Sequence, residues 1–222
     1  MSSIYRLLLT LPSVAALACG LLWARPAAAH PHAWIDLKTA ILFNDESQVS
    51  GLRVQWTFDE FYTLYAIEEF DADGDGQPDD DKLWELAVVN LESLAEYDYF
   101  TYLKVDGVQA AYAEVTEYET YMDGERLVLI FTVDLLVPAD PRAHAVSYTV
   151  YDPTYYIEVT HAARSEEPIR IEGPAPKGCG FALEYPDPDE EMLFFAASLD
   201  RTQSAGDGLG AHFAEEVAVQ CE

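Results

Sequence analysis

The stretch GLRVQWTF, from Gly51 to Phe58, decides the fold class of this 222-residue chain. Its large apolar side chains occupy every second position: Leu52, Val54, Trp56 and Phe58. Because successive side chains of a strand point to opposite faces, this alternation predicts a β-strand with one buried face.

Further β-rich runs lie on both sides of this strand. The run from Ala33 to Phe43 precedes it, across the turn cluster Asn44–Ser47. Downstream, Ala111–Tyr121 and Arg126–Val137 are joined through an Asp-Gly pair, which favours a hairpin. Three later runs are also predicted as strands: Ala145–Tyr151, Tyr155–Thr160 and Phe213–Gln220.

Helical patterning is concentrated in one insertion between early strands. Apolar residues recur at helical spacing in Asp59–Phe70 and in Lys82–Tyr97, and the acidic loop DADGDGQPDDD separates them. We therefore predict an α+β fold of mostly antiparallel, sandwich-like β-structure with an inserted helix–acidic loop–helix. Residues 30–222 are predicted to form a single domain, with residues 59–97 as the insertion.

The first 29 residues have the pattern of a secretory signal peptide. Arg6 supplies a positive amino-terminal region, Leu7–Trp23 is mostly apolar, and Ala27–Ala29 provides the small residues of a cleavage site. We expect cleavage after Ala29, which leaves a 193-residue periplasmic chain that begins at His30. A membrane anchor is an alternative, although the apolar run is short of a full span. Lipidation of Cys19 is another alternative.

The chain is strongly acidic. It has 12 Lys and Arg against 40 Asp and Glu, and removal of two arginines with the signal changes the formal charge from −28 to −30. Such a surface repels nucleic acid and anionic lipid and attracts cations, so no nucleic-acid partner is expected. A role in solubility alone is the alternative. No later stretch is apolar for long enough to cross a bilayer, so no integral membrane segment is expected after cleavage.

Two cysteines remain after the signal, Cys179 and Cys221. An even number of cysteines in an oxidising compartment predicts a disulfide between them. A two-thiolate metal site is the alternative, but no CxxC spacing supports it.

The acidic loop has the spacing of an EF-hand calcium loop, with acids at alternate positions followed by Gly76. A glycine there allows the sharp turn through which the loop coils around an ion. The calcium ligands that this spacing predicts are Asp71, Asp73, Asp75, the carbonyl of Gln77, and Asp79.

The twelfth position of this loop departs from the pattern, because Lys82 replaces the bidentate glutamate. Glu85, one helical turn later, can serve instead in a longer loop, and Asp81 is another candidate. A solvated acidic turn that binds no ion is the alternative. Repulsion among so many like charges favours a counterion, so we expect weak, structural calcium binding.

The segment His30-Pro31-His32 is the candidate transition-metal site. If His30 is the mature amino terminus, its α-amine and Nδ1 form a chelate ring, and His32 adds a second imidazole. Nitrogen donors suit Ni²⁺, Co²⁺, Zn²⁺ and Cu²⁺. Pro31 has no amide hydrogen, which excludes the square-planar site that uses a deprotonated second amide. Asp36 and Asp152 are possible outer carboxylates, and a solvated terminus is the alternative. Three further histidines join a site only if the fold brings them there: His144, His161 and His212.

Several segments together resemble the bacterial periplasmic proteins of domain-of-unknown-function family 1007. They are HPHAWIDL (30–37), DADGDG (71–76), YFTYLKVDG (99–107), YDPTYYIEV (151–159) and GLGAHFAEEVAVQC (208–221). The resemblance implies a periplasmic component of an ABC-type transport system, associated with nickel/cobalt-type transporters. It also implies an EF-type loop ending in Glu-Leu, for which Glu85-Leu86 is the shifted equivalent.

We therefore expect a periplasmic accessory protein that binds a divalent transition metal and is not an enzyme. Its expected partner is an inner-membrane metal transporter. One alternative is a redox enzyme with copper bound by the terminal histidine, flanked by Tyr155 and Tyr156. The other is a structural or interaction module stabilised by calcium.

Overall fold

The computed structural model describes residues 30–71, 74, 79–163, 165, 167–199, 206 and 208–221. The predicted signal peptide, residues 1–29, lies outside them. The described strands are β1 Ala33–Phe43, β2 Val49–Phe58, β3 Thr101–Val105, β4 Val108–Gln109, β5 Tyr118–Asp123, β6 Arg126–Ala139, β7 Val146–Val150, β8 Ile157–His161, β9 Ile169–Glu172, β10 Cys179–Glu184 and β11 Glu216–Cys221. The described helices are α1 Glu60–Phe70, α2 Asp80–Ala95 and α3 Glu190–Ser198, with short 3₁₀ turns at Asp98–Phe100 and Gly210–Phe213. The predicted α+β class is confirmed.

The first sheet has the strand order β5-β6-β2-β1-β8, and β9 also pairs with β1. The strand with the alternating apolar residues, β2, lies inside this sheet, where Trp56 is opposite Leu37 of β1 and Leu129 of β6. β1 pairs with β8 and with β9 in parallel, in an otherwise antiparallel sheet. Parallel neighbours need a long crossover, and here the chain builds most of the second sheet between β1 and β8.

The second sheet has the order β10-β11-β7-β3-β4, with every pairing antiparallel. Its buried side chains and those of the first sheet form one core, which includes Ile35, Trp56, Phe131, Leu103 and Tyr148. Each large apolar side chain buried in this way contributes about 1.5–3 kcal/mol. The two sheets therefore form a sandwich, as the alternation in the sequence predicts.

The helical insertion is anchored to the first sheet at the start of α1. Asp59 caps this helix, because its side chain accepts hydrogen bonds from the backbone N–H groups of Phe61 and Tyr62. Thr63 is fully buried, and its Oγ1 accepts a 3.1 Å hydrogen bond from the backbone N–H of Leu127 in β6. The helices begin and end within two residues of the predicted bounds.

The predicted strand Ala111–Tyr121 is only partly correct, since β5 begins at Tyr118. The preceding segment leaves the second sheet after β4 and then lies beside β6 of the first sheet. Its backbone hydrogen bonds to β6, at Ala111, Ala113 and Glu117, are too widely spaced to form a continuous ladder. Tyr112 fastens it to β3, because its hydroxyl donates to the Thr101 carbonyl at 2.7 Å and accepts from the Leu103 N–H at 2.8 Å. The sequence pattern did not predict α3, which Asp189 caps by accepting a hydrogen bond from Met192.

The predicted disulfide is confirmed. Cys179 and Cys221 are direct partners in the antiparallel pairing of β10 with β11, and their sulfurs are bonded. The bond links β10, an edge strand of the second sheet, to its neighbour β11, the last strand in the chain. As for membrane crossing, none of the helices in the described part of the chain has the length and apolar character that a span requires.

Candidate metal site

His30 and His32 lie immediately before β1, and their ring centres are 4.6 Å apart with the planes at 69°. His30 is only 6% exposed in the 222-residue chain. Its Nδ1 is buried, and no hydrogen-bond partner for that atom lies among the described residues. Leaving a buried polar atom unsatisfied costs about 1–3 kcal/mol. This nitrogen is therefore a candidate donor for a ligand.

Tyr156 completes a cluster of three rings with the two histidines. Its ring centre is 4.7 Å from that of His32 and 6.0 Å from that of His30. The backbone sets this arrangement, because the His32 N–H donates a 2.8 Å hydrogen bond to the Tyr156 carbonyl. The parallel pairing of β1 with β8 starts at the next residue of each strand, Ala33 opposite Ile157. We call His30, His32 and Tyr156 the terminal histidine site.

Tyr155, the other tyrosine that the copper alternative places near the metal, is buried elsewhere. It is 8% exposed and stacks on Phe213 with ring centres 4.0 Å apart. Burial raises the pKa of Tyr155 to about 12, with the nearby charge of Glu158 adding to the shift. Of the two tyrosines, only Tyr156 therefore contacts the histidines.

Asp152 organises the loop that presents Tyr156. It is 4% exposed, and its carboxylate accepts hydrogen bonds from the Thr154 N–H at 2.9 Å and from the Ile157 N–H at 3.0 Å. The Thr154 hydroxyl also donates to both carboxylate oxygens, at 2.9 and 3.0 Å. The carboxylate is therefore engaged within its own loop, and the structure does not bring it to the histidines as a ligand.

The segment 208–213 packs against the loop 151–156 on its outer side. The N–H groups of Gly208 and Gly210 both donate to the Pro153 carbonyl, at 3.0 and 3.1 Å. Gly210 is packed so closely that an added Cβ would collide with the carbonyl oxygen of Asp152. Tyr155 has a left-handed φ of 58°, which costs an L-residue about 1–2 kcal/mol and persists where surrounding contacts hold it. Two of the motifs that carry the family resemblance therefore form one rigid support for Tyr156.

Asp36, the other candidate carboxylate, forms an ion pair with Arg126 at 2.5 Å. Arg126 also donates to the carbonyls of Thr57 and Phe58, so the pair holds β1, β2 and β6 together. In the part of the chain that the structure describes, no three His, Cys, Asp or Glu side chains converge as a metal site requires. The structure thus unites His30 with His32 but adds neither aspartate.

The acidic loop is described only in part, since three of its predicted ligands fall outside the described residues: Asp73, Asp75 and Gln77. Asp71 accepts a 2.8 Å hydrogen bond from the Gly74 N–H. Glu85 forms an ion pair with Lys82 at 2.6 Å, and that hydrogen bond raises the pKa of Lys82. The other two candidates lie at the start of α2: Asp79 and Asp81. Calcium binding stays a prediction.

His161 is the centre of a buried polar network that the sequence did not reveal. Its Nδ1 and its backbone nitrogen both lie 2.7 Å from Oε2 of Glu215, a residue 54 positions away. Its Nε2 lies 3.4 Å from Oγ1 of Thr39, which is 2.6 Å from the hydroxyl of Tyr148. Burial raises the pKa of Tyr148 well above its usual value. We call these four residues the His161 network; it links the two sheets.

The last two histidines lie apart from both clusters. His144 Nδ1 is 2.7 Å from Oδ2 of Asp106 on the surface, and this hydrogen bond lowers the pKa of the Asp106 carboxyl. His212 is exposed in the second 3₁₀ turn. The fold therefore leaves His144, His161 and His212 out of the terminal histidine site.

The chain is thus a two-sheet sandwich with a histidine pair at the start of its first strand. The chain belongs to the family described as "Protein of unknown function (DUF1007)", which it matches over residues 15–221. An "Uncharacterized protein" from Haemophilus influenzae is 30% identical over 200 residues, which cover 87% of this chain and 92% of that relative. No solved structure matches the chain.

Proposed function

We propose that this protein is a periplasmic accessory protein that binds a divalent transition metal through its mature amino terminus. It serves an inner-membrane transporter of the nickel, cobalt or zinc type. The observation that carries the proposal is His30 Nδ1, which is buried with no hydrogen-bond partner among the described residues. In a terminal chelate, this is the nitrogen that closes a ring with the α-amine of the same residue.

The spacing of the two imidazoles supports the same proposal. Two imidazoles that bind one ion through nitrogens about 2 Å away, at a right angle, place their ring centres about 4.5 Å apart. The rings of His30 and His32 are 4.6 Å apart. With the α-amine, the pair supplies three nitrogen donors, a set that suits Ni²⁺, Co²⁺, Zn²⁺ and Cu²⁺.

The acidity of the chain and its family resemblance support the transport part of the proposal. A formal charge of −28 before processing concentrates cations near the surface. The role beside a transporter rests on the family resemblance, and two of its segments, HPHAWIDL and YDPTYYIEV, contribute the residues of the terminal histidine site.

Isothermal titration of the periplasmically processed protein with Ni²⁺, Co²⁺, Zn²⁺ and Cu²⁺ tests the proposal. We expect one tight site that is lost in the His30→Ala, His32→Ala double variant. The matched control is His144→Ala with His212→Ala, which removes two surface imidazoles and should leave that site intact. Equal binding by the first double variant and by the native protein would overturn the proposal.

A second titration tests the role of the α-amine. A chain that retains Ala29 before His30 keeps both imidazoles but cannot close the chelate ring on its own terminus. We expect it to bind the same metals at least tenfold more weakly, about 1.4 kcal/mol or more in binding free energy. Unchanged affinity would show that the terminus is not a donor.

Copper-dependent redox chemistry is a second candidate, and the position of Tyr156 beside both histidines favours it. An aromatic side chain next to a copper site with nitrogen ligands is compatible with reactions of oxygen or peroxide. Oxygen and peroxide consumption by the copper-loaded protein, with an added reductant, discriminates between the candidates. Consumption that disappears in the His30→Ala, His32→Ala variant supports the enzyme, and no consumption above that of free copper excludes it.

A further inference from the structure

We propose that Tyr156 is the third metal-binding residue of the terminal histidine site and adds a fourth donor, its phenol oxygen. This inference rests on the proposed metal binding by His30 and His32. It adds an oxygen donor to the nitrogen donors and makes the loop 151–156 part of the binding site.

The distances among the three rings are compatible with a metal bound by all three side chains. A phenol oxygen lies outside its ring, so a phenol ligand keeps its ring centre farther from the ion than an imidazole does. At a right angle to an imidazole ligand, the two ring centres are about 5 Å apart when both donors lie about 2 Å from the ion. The ring of Tyr156 is 4.7 Å from His32 and 6.0 Å from His30, distances that bracket this value.

The loop that carries Tyr156 is held in place by several contacts. Tyr156 is 45% exposed, so its burial alone does not explain the ordered loop beneath it. Its carbonyl accepts the hydrogen bond from His32, the Asp152 carboxylate orders the loop, and Gly210 packs against that loop from outside. Backbone strain that several contacts maintain, as at Tyr155, is concentrated at functional sites.

The two aspartates that the sequence suggests as outer ligands are engaged by other groups. Asp36 forms an ion pair with Arg126, and the Asp152 carboxylate accepts hydrogen bonds inside its own loop. The described residues contain no cluster of three His, Cys, Asp or Glu side chains that could complete the site without a tyrosine. The phenol of Tyr156 is the oxygen donor whose ring contacts both histidines.

The experiment uses Cu²⁺ as a spectroscopic probe and Zn²⁺ as a second metal, on the processed full chain. On binding to Cu²⁺ the phenol releases its proton to solvent, and the bond between copper and the phenolate oxygen gives a charge-transfer band in visible light. Tyr156→Phe keeps the ring and removes the oxygen, so we expect the band to disappear and both affinities to fall by about tenfold or more, since even outer partners of metal ligands are typically worth ten- to hundredfold. Tyr185→Phe, at a tyrosine 74% exposed beyond β10, is the matched control and should change neither.

A further variant separates coordination from packing. Tyr156→His restores a donor atom with a different spectrum, so it should recover affinity without the band. Thermal unfolding of every variant without metal should match the native protein, which shows that a lost band does not reflect a lost fold.

The outcomes separate this inference from the proposed function. A band and affinities that persist in Tyr156→Phe, while His30→Ala with His32→Ala abolishes binding, would overturn the role of Tyr156 and leave the metal site in place. Binding that survives in the histidine double variant would overturn both. Loss of the band in Tyr156→Phe together with recovery of affinity in Tyr156→His supports the third ligand.

Discussion

The terminal histidine site and the His161 network are two buried histidine clusters with opposite hydrogen bonding. In the network, both ring nitrogens of His161 face a partner, a carboxylate on one side and a hydroxyl on the other. At the terminus, Nδ1 of His30 is equally buried and has none among the described residues. Both histidines are less than 8% exposed, so burial alone does not distinguish them.

This difference separates a structural histidine from a candidate ligand. A buried imidazole whose nitrogens are satisfied stabilises the fold and has no lone pair left for a metal. A buried imidazole with an unsatisfied nitrogen lowers stability until something binds it. The comparison therefore predicts that mutations in the His161 network reduce stability and leave metal binding unchanged. Mutations at the terminus should abolish metal binding without reducing the stability of the metal-free protein.

The largest effect is expected for Glu215→Ala, which removes the carboxylate that His161 contacts twice. Breaking a buried pair leaves its partner uncompensated, so the free energy of unfolding should fall by about 3–5 kcal/mol. Urea unfolding followed by circular dichroism measures this. Glu216→Ala, at the half-buried neighbour, is the control. A loss below about 1 kcal/mol for Glu215→Ala would mean that the network is not structural.

The second effect belongs to the terminal histidine site. A metal that binds only the folded chain, at a free concentration one hundred times its Kd, should raise the free energy of unfolding by about 2.7 kcal/mol. Thermal unfolding with and without Zn²⁺, and after addition of a chelator, measures this. His30→Ala with His32→Ala should remove the whole metal-dependent part, and Glu215→Ala should keep it. If Glu215→Ala removed the metal-dependent increase in stability, the two histidine clusters would not be independent.

The third effect concerns the support of Tyr156. Gly210→Ala forces a methyl group against the carbonyl of Asp152, and overpacking of this kind costs about 1–3 kcal/mol. It should also weaken metal binding, because the loop that carries Tyr156 must shift. Gly180→Ala is the control, since its new Cβ meets no atom within 4 Å. Urea unfolding and metal titration of both variants provide the measurement, and equal behaviour would contradict the rigid loop.

The smallest effect is expected at the exposed pair of His144 and Asp106. The hydrogen bond from His144 lowers the pKa of the Asp106 carboxyl, so His144→Ala should raise that pKa towards its ordinary value. Because the folded pKa is the lower one, the pair stabilises the fold above the ordinary carboxyl pKa and loses this effect as the pH falls through the lowered one. A carbon-13 NMR titration measures the shift. His212→Ala should leave it unchanged, and an unaltered Asp106 in His144→Ala would contradict the contact.

Patterns within single segments predicted much of the fold. The alternation in β2, the Asp-Gly turn between β5 and β6, and the two helices before β3 were recognised because each depends on neighbouring residues. α3 was missed, and the segment before β5 was predicted as strand although it crosses between the sheets. Such a crossing depends on where the sheets lie, which no local period encodes.

In the candidate site, too, only the features that depend on neighbouring residues were predicted. His30 and His32 were recognised because they are two residues apart, and Tyr156 entered only as a flanking group in the copper alternative. Its contact with His32 depends on the parallel register of β1 with β8, across more than 120 residues of chain. Asp152 has the composition of a ligand, but hydrogen bonds from Thr154 and Ile157 give it a structural role.

The sequence by itself determined the strand periodicity, the acidic charge, the cysteine pair and the adjacent histidines, because these are properties of composition and short spacing. Only the tertiary structure decided which histidine is satisfied. The Glu215 carboxylate reaches His161 from 54 residues away, whereas the described residues bring no hydrogen-bond partner to His30 Nδ1. Whether a buried polar atom has a partner depends on the packing of distant strands, and that packing is set by the burial of the whole core.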